Sequence, residues 1–572
     1  MCPALPVRQD PPLARDGVCN YGAEALKPDA AILFGEYKHF LTEGIMSKIT
    51  QQERNGLFEL TDEARADLAK SKYYNDDLAP TTVDQRNWST SSICNLWIGM
   101  SICIPSLSLA SSLIGLGVSP LLSVLNVILG NIIVLIPIQL NSQIGTKYGI
   151  PFPIFSRMTF GNKAAQLPTL SRSIIACGWT SVQAWVGGGA IAALIGIAVP
   201  SFADPANTVA MPGNPAVQFG QLIGFFLFMA LVFWVAYNGL DQVKWVQDIG
   251  GPILVVVILL LGYWSVDLLK DAGYTVAQAF AEGNDWAALE ANGGFAFVYM
   301  AGLTGNIAFW ATMALNIPDF SRYAASQKSQ FRGQLYGMPL PMALCAFVGA
   351  LFGMATKLAL GTAMFDPTGL FYYVDNKLLV VVASIGVMMA TITTCVAANV
   401  VAPANGFSNM APTKITYKKG VVMTIVISIV VMQPWFIYGS GAAYIFTWLN
   451  NYGTIIAPVA AILIADYFFV KKKLVDVAGL YAGEGGRYWY SNGINWDGMI
   501  AWLVSFPVPM LWNTALGYKG VGAPNFMHYI AANGYIVSFL IAIVVYVALM
   551  RRKEGKAGYG FVTQAEHDAM TK

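Results

Sequence analysis

Two apolar stretches, residues 96–116 and 297–316, are each long enough to cross a bilayer but hold helix-disrupting residues in their interior. The first, LWIGMSICIPSLSLASSLIGL, is interrupted by Ser101 and by the Pro-Ser pair at 105–106. The second, FVYMAGLTGNIAFWATMALN, holds Thr-Gly-Asn at 304–306. Because backbone groups at membrane depth have no water to bond, a broken helix persists there only where it lines a cavity. Two such segments in two halves of a chain therefore point to the binding site of a secondary transporter.

Apolar runs of about 20 residues, the length that a spanning helix needs, recur twelve times in this chain of 572 residues. We place them at residues 93–116, 120–140, 169–197, 219–238, 245–268, 295–316, 337–360, 378–401, 420–438, 442–469, 497–516 and 528–550. With 56% hydrophobic and 12% charged residues, the composition predicts an all-α integral membrane protein. If helices one to five and six to ten are inverted repeats, each repeat opens on a broken helix, and helices eleven and twelve are accessory.

The predicted organisation is a polar cytoplasmic extension (1–86), a ten-helix transport core (87–470), two accessory helices (471–550) and a cytoplasmic tail (551–572). Residues 62–68 predict a short surface helix within the extension. One set of interhelical loops, together with the tail, carries eighteen Lys and Arg residues against four in the opposite loops. Because cytoplasmic loops are enriched in these residues, we predict a multi-pass protein of the cell membrane with both termini cytoplasmic.

Charge and cysteine spacing argue against several other classes of protein. A formal net charge of +2 gives no basis for binding nucleic acid. The seven cysteines show neither metal-ligand spacing nor a disulfide framework, and five of them fall inside apolar segments. The sequence shows no nucleophile–base pair and no zinc motif, so we predict neither an enzyme nor a bound cofactor other than a co-transported sodium ion.

The third predicted helix carries Trp179 and Gln183 four residues apart, and therefore on one helical face. Trp179 offers a flat stacking surface, and the Gln183 amide offers a donor and an acceptor. In helix six, Trp310 lies beyond the interruption and is placed to oppose Trp179 across a slot; in helix eight, Asn399 is a second amide. This set suits a planar ligand with C=O and N–H groups. The motif fits equally well a tryptophan in the bundle core, with Gln183 bonded to a neighbouring helix.

Helix eight also places Ala390, Thr393 and Thr394 at i, i+3 and i+4, where a carbonyl and two hydroxyls converge. Sodium is a hard cation that binds oxygen ligands, as calcium and magnesium do. These groups are candidate sodium ligands, together with carbonyls freed by the break in helix one near Gly99 and Ile102. The competing interpretation is that both hydroxyls bond back to their own helix, as is common for threonine. Helices one, three, six and eight carry no charged residue at mid-span, which favours a neutral ligand.

Five motifs follow one another between residues 75 and 550: NDDLAP-x5-R-x-W at 75–88, YGIPFPIFSRMTFG at 148–161, CGWTSVQAW at 177–185, NIPDFSRYA at 316–324 and ADYFFVKKK at 465–473. Together they resemble the nucleobase:cation symporter-1 family, which includes transporters of hydantoins, allantoin, uracil and related nucleobases. The resemblance implies a LeuT-like fold of two inverted five-helix repeats, with uptake coupled to sodium or protons.

The resemblance also assigns roles to individual residues. It implies that Trp179 and Trp310 sandwich a flat ring, with Phe309 and Cys103 beside it, and that Gln183 and Asn399 bond its amide edge. The implied sodium ligands are the carbonyls of Gly99, Ile102 and Ala390 and the hydroxyls of Thr393 and Thr394. Two departures bear on the substrate: Cys103 replaces an amide found in some relatives, and Cys395 and Val396 replace an Asn-Pro pair.

We therefore predict a secondary active symporter that imports a neutral planar nitrogenous heterocycle, such as a nucleobase, a hydantoin or allantoin. Sodium or a proton is the coupling cation, and transport proceeds by alternating access within the lipid bilayer. The alternative is a channel or facilitator for the same solutes that needs no ion gradient. The sequence does not choose among the heterocycles.

Overall fold

The structure, a computed structural model, describes residues 49–364, 377–435, 442–511 and 524–571. Within these residues the chain is almost entirely helical, with two small β-hairpins outside the apolar helices. Nine helical spans in the described part are long and apolar enough to cross a membrane, and a bent helix pair forms a tenth. The predicted all-α membrane protein is confirmed, and the predicted count of twelve spans is approximate.

The helices are numbered in chain order over the described residues. They are α1 Asp62–Leu68, α2 Thr90–Ser101, α3 Ile104–Gly115, α4 Pro120–Tyr148, α5 Phe152–Phe160, α6 Gln166–Ala198, α7 Phe219–Tyr237, α8 Leu240–Asp271, α9 Val276–Ala281, α10 Trp286–Ala291, α11 Phe295–Phe309, α12 Ala311–Asn316, α13 Pro318–Ser321, α14 Gln327–Gly337, α15 Pro339–Leu360, α16 Lys377–Thr394, α17 Val401–Met410, α18 Tyr417–Val430, α19 Ala442–Ile464, α20 Gly479–Ala482, α21 Trp496–Ser505, α22 Pro507–Met510, α23 Phe526–Ala532, α24 Gly534–Arg551 and α25 Gln564–Met570. Two π-helical segments, Cys395–Val400 and Ala465–Val470, continue α16 and α19. Strands β1 Gln51–Arg54 and β2 Leu57–Leu60 pair antiparallel, as do β3 Thr208–Met211 and β4 Asn214–Gln218. Helix α1 confirms the surface helix predicted at residues 62–68.

The first span is broken as predicted, between α2 and α3, which meet at an angle of 52°. In a continuous helix the ring of Pro105 would clash with the carbonyl of Ser101, four residues earlier, and α2 ends at Ser101. Ile102 then leaves the helical conformation at φ −84° and ψ 90°, and Cys103 precedes α3 in an extended conformation. Pro105 falls in the first turn of α3, where its missing N–H is tolerated.

The predicted interruption of the sixth span at residues 304–306 is wrong in position. These residues lie inside the continuous helix α11, and the helical conformation lapses instead at Trp310, with φ −103° and ψ 7°, before α12 begins. A Cβ added at Gly305 would lie 2.4 Å from the ring of Phe446, so this glycine permits close helix packing. The Asn306 side chain is hydrogen-bonded to a neighbouring helix. Because their backbone bonds are satisfied within α11, these residues do not interrupt it.

Two of the twelve predicted spans contain only shorter helices in the described residues. The span predicted at 420–438 contains most of α18, which ends at Val430, and residues 436–438 lie outside the described part. The span predicted at 497–516 contains most of α21 and all of α22, and residues 512–516 also lie outside the described part. The remaining ten predictions coincide with the long spans or the bent pair, with shifted ends.

The predicted N-terminal extension contacts both the core and the C-terminal tail from residue 49 onward; its residues 1–48 lie outside the described part. The Thr50 N–H donates to the Met570 carbonyl at 3.0 Å, which joins the first hairpin to α25. The buried Arg86 guanidinium donates to the Thr146 carbonyl at 3.0 Å at the end of α4. These contacts fix the entry of the chain into α2.

Helices α6 and α7 approach each other closely through glycines. A Cβ added at Gly224 would lie 2.1 Å from the Gly188 carbonyl oxygen, and one added at Gly188 would lie 2.4 Å from the backbone nitrogen of Phe225. Small residues allow helix backbones to pack at such distances in membranes. This contact holds α6, the helix that carries Trp179 and Gln183, in a fixed position.

Candidate functional site

Four buried aromatic side chains form a continuous edge-to-face series that runs from α6 to the two broken spans. The Trp179 ring lies 5.5 Å from that of Phe309, measured between centroids, at an interplanar angle of 81°. Phe309 lies 5.1 Å from Trp310 at 87°, and Trp310 lies 5.2 Å from Trp97 of α2 at 71°. Edge-to-face geometry is favourable for aromatic pairs. Phe309 thus lies between the two predicted tryptophans. We call these four side chains the aromatic series: Trp179, Phe309, Trp310 and Trp97.

The two predicted amides lie together beside the aromatic series. Asn399 donates its Nδ2 hydrogen to the Gln183 Oε1 at 3.0 Å, and both side chains are buried. Thr180 holds the backbone at this point, because its hydroxyl donates to the Asn399 carbonyl at 3.0 Å. Asn399 lies in the π-helical segment after α16, a type of irregularity that is frequent at functional sites. The mutual bond leaves the Gln183 amino group as a donor and the Asn399 side-chain oxygen as an acceptor.

Four of the five predicted sodium ligands form a compact cluster of oxygens between α2 and α16. The Thr393 hydroxyl lies 3.1 Å from the Gly99 carbonyl oxygen and 2.9 Å from the Ala390 carbonyl oxygen. The Thr394 hydroxyl lies 3.0 Å from the Gly99 oxygen and 3.1 Å from the Ala390 oxygen. The hydroxyls therefore bond both to their own helix and across to the broken first span. Ile102, the fifth predicted ligand, lies in the break itself.

Cys103 lies in the same break, immediately before α3. Its thiol sulfur is 3.2 Å from the Ser106 hydroxyl, in the first turn of α3. Together with Ile102 and Ala390, Cys103 lines an apolar cavity of about 110 Å³ that α8 and α16 complete. The structure therefore places Cys103 in the break of the first span, on the same cavity as Ile102 and Ala390.

A buried arginine that is not among the predicted site residues joins three elements near the amide pair. The Nε of Arg172 in α6 donates to the Asn316 Oδ1 at 3.0 Å, and its Nη2 donates to the Ala398 carbonyl at 2.8 Å. A lone charge in an apolar segment is a functional signal that could have identified it. Nearby, after α12, burial raises the pKa of Asp319 to about 6, against the opposing effect of Arg322 and Arg172.

The fold defines a class of protein: a multi-pass helical membrane protein with the LeuT-like fold. In three dimensions the chain resembles the structure of Mhp1, a nucleobase-cation-symport-1 family transporter, in a closed conformation with bromovinylhydantoin bound. The TM-score is 0.69 at 19% identity, and the match covers 87% of this chain and 99% of that one. A Na⁺-coupled sialic acid symporter matches with a TM-score of 0.54 at 11% identity, over 92% and 97% of the two chains.

Comparison of sequences identifies the family to which the chain belongs. A family model described as permease for cytosine/purines, uracil, thiamine and allantoin matches residues 80–546. The chain therefore belongs to this permease family, the nucleobase:cation symporter-1 family that its motifs resemble. The purine-uracil permease NCS1 of Arabidopsis thaliana is 35% identical over 496 residues, which is 84% of this chain and 78% of the relative. The allantoin permease of Bacillus subtilis (strain 168) is 30% identical over 482 residues, 83% of this chain and 93% of the relative. As a member of a permease family, the chain is a transporter and not an enzyme.

Proposed function

We propose that this permease is a secondary active symporter that imports a neutral planar nitrogenous heterocycle together with sodium, with both termini in the cytoplasm. The observation that carries the proposal is the Gln183–Asn399 pair, which presents one donor and one acceptor beside the aromatic series. Relatives named as purine-uracil and allantoin permeases support this substrate class. Nucleobases, hydantoins and allantoin share the ring amide that such a pair recognises.

Binding at this site draws on more than ring stacking. A micromolar ligand needs roughly 8 kcal/mol of binding free energy, whereas an aromatic pair contributes about 0.5–1.5 kcal/mol beyond the area that it buries. The amide hydrogen bonds and the burial of the ring must supply the rest. Because unpaired polar groups in a closed site are costly, a heterocycle without a matching C=O and N–H is rejected.

The sodium part of the proposal is supported by the oxygen cluster between α2 and α16. Its four oxygens are neutral hydroxyls and carbonyls, the ligand type that a hard cation prefers. A cation bound among them attracts the Gly99 carbonyl and the two threonine hydroxyls, and so holds the broken span against α16. Since both helices adjoin the substrate site, sodium and substrate bind with positive coupling, and each raises the affinity for the other.

The substrate site is tested by Gln183→Ala and Asn399→Ala, each measured for uptake of labelled uracil, allantoin and hydantoin in cells. We expect both variants to lose uptake while reaching the membrane in normal amounts. Asn131→Ala is the matched control, because this buried amide donates to the Val127 carbonyl of its own helix at 2.7 Å. Full uptake by both variants contradicts the site assignment.

Thermal stabilisation of the purified protein shows which heterocycle it binds and which coupling ion that binding requires. A panel of heterocycles is screened in sodium and in choline buffers, at high and low pH. We expect at least one heterocycle to raise the unfolding temperature strongly in sodium and weakly in choline. Stabilisation that depends on pH but not on sodium supports proton coupling in place of sodium, and stabilisation that depends on neither supports a facilitator.

A further inference from the structure

A tyrosine of α19 connects the aromatic series to the broken sixth span. Trp179 donates its indole N–H to the Tyr452 hydroxyl oxygen at 3.3 Å. The same hydroxyl donates its own hydrogen to the Ala308 carbonyl at 2.9 Å. All three groups are buried. One hydroxyl therefore links three helices, α6, α19 and α11, within two residues of Trp310.

The two hydrogen bonds from Trp179 to Tyr452 and from Tyr452 to Ala308 form a relay. The final acceptor in this relay is a carbonyl at the end of a helix. Helix α11 ends at Phe309, and α12 begins only after Trp310. The last carbonyls of a helix have no partner within it, and at membrane depth no water replaces that partner. The Ala308 carbonyl is approached by the backbone N–H of Trp310, two residues on, and also accepts the Tyr452 hydroxyl hydrogen. The hydroxyl oxygen stays available to accept from Trp179, since a phenol is both donor and acceptor.

Two glycines allow α19 to come close enough for these bonds. A Cβ added at Gly453 would lie 2.5 Å from the Ala308 Cβ, so any larger residue would force α19 away from α11. A Cβ added at Gly178 would lie 3.1 Å from the ring of Trp448. Trp448 is four residues before Tyr452, and the two rings are 5.3 Å apart. The glycine beside each bonded residue thus keeps the tyrosine in contact with both partners.

We propose that Tyr452 is a positioning residue for transport, which fixes the ring plane of Trp179 and ties that ring to the break in the sixth span. The inference rests on the proposed function, because it assumes that Trp179 contacts the substrate. An indole held at its N–H cannot rotate about its side-chain torsions without breaking the bond. The stacking surface is therefore formed before the heterocycle arrives, and its ordering is not a cost of binding.

The test is Tyr452→Phe, which removes the hydroxyl and keeps the ring. Tyr535→Phe is the matched control, because the buried Tyr535 hydroxyl has no hydrogen-bond partner among the described residues and its ring lies 3.7 Å from a Cβ added at Gly453. We expect Tyr452→Phe to raise the KM for uptake about 2- to 12-fold, the range that the loss of one net hydrogen bond corresponds to, with little change in maximal rate. We expect the control to keep the wild-type KM.

A second measurement reports on the hydrogen bond without substrate. In protein labelled with 15N-tryptophan, the indole N–H resonance of Trp179 is assigned by its loss in Trp179→Phe. We expect this resonance to shift in Tyr452→Phe and to stay in place in Tyr535→Phe. An unshifted resonance overturns the relay. A shifted resonance with unchanged KM shows that the relay exists but overturns a role in transport, and if Trp179→Phe also transports normally, the proposed substrate site fails with it.

Discussion

Removing the hydroxyls of Thr393 and Thr394 tests the proposed sodium site most specifically. Thr393→Val and Thr394→Val keep the side-chain shape and delete one oxygen each from the cluster around Gly99. Thr391→Val is the matched control on the same helix, because the Thr391 hydroxyl donates to the Val387 carbonyl within α16 at 2.7 Å. All three threonines are buried, so the variants differ mainly in whether the lost oxygen faces the first span.

The expected magnitude follows from the charge of the ion. A polar contact with a charged group contributes about 1.5–3 kcal/mol, and each 1.4 kcal/mol changes affinity about tenfold. Each cluster variant should therefore weaken sodium binding roughly 10- to 150-fold. At a sodium concentration about 100 times the wild-type Kd, the ion stabilises the wild type by about 2.7 kcal/mol. The variants should retain only about 0.3–1.4 kcal/mol of this stabilisation.

The assay is the thermal unfolding temperature of purified protein, titrated with sodium chloride against choline chloride at constant ionic strength. Comparing each variant with itself across the titration removes any loss of stability that does not depend on sodium. We expect both cluster variants to need much more sodium for the same shift, and Thr391→Val to follow the wild type. If all three variants respond to sodium as the wild type does, the cluster does not bind the ion.

Three further predictions concern packing and charge elsewhere in the molecule. Lys471 lies 3.0 Å from the Asp466 carboxylate, with both side chains fully buried, so Lys471→Met should destabilise the protein by about 3–5 kcal/mol. Adding Asp466→Asn should restore part of the unfolding temperature, and no recovery would count against a buried ion pair. Burial lowers the pKa of His567 below its usual 6.5. The unfolded chain therefore binds a proton more readily than the folded chain, and the stability of the fold decreases as the pH drops below about 6.5. The protection factors of the α25 amides, in which the intrinsic pH dependence of hydrogen exchange is divided out, should fall between about pH 7 and pH 5. His567→Gln should flatten this profile, whereas an unaltered profile opposes the assignment. Gly305→Ala should cost about 1–3 kcal/mol by overpacking against Phe446, with partial rescue by Phe446→Leu; equal destabilisation in both backgrounds would show that packing is not the cause.

The two broken spans show what sequence reasoning can and cannot locate. The break in the first span has a covalent cause, because Pro105 excludes a continuous helix through Ser101, and its position was predictable within a few residues. The sixth span breaks at Trp310, where no residue disrupts helices intrinsically. That break is accompanied by long-range contacts of Tyr452 and Trp97, which no local pattern encodes.

The candidate site likewise has a part that the sequence predicts and a part that it does not. Positions on one helix follow from helical spacing, which put Trp179 with Gln183 and grouped the hydroxyls of helix eight. The mutual hydrogen bond of the two predicted amides joins residues 216 apart in sequence. The family resemblance implies that both amides bond the ligand, and it does not imply that they bond each other. Arg172 was overlooked because a charge near the start of an apolar segment usually lies at the membrane surface, whereas the fold buries it against the sixth and eighth spans.

The most direct test of sodium-coupled import is uptake into liposomes that contain only the purified protein. Labelled heterocycle is supplied outside, and the inward gradient is sodium, protons or neither. The proposed mechanism predicts transient accumulation above the external concentration with the sodium gradient, and its loss in Thr394→Val. Uptake that stops at equal concentrations under every gradient would contradict the mechanism and identify a facilitator.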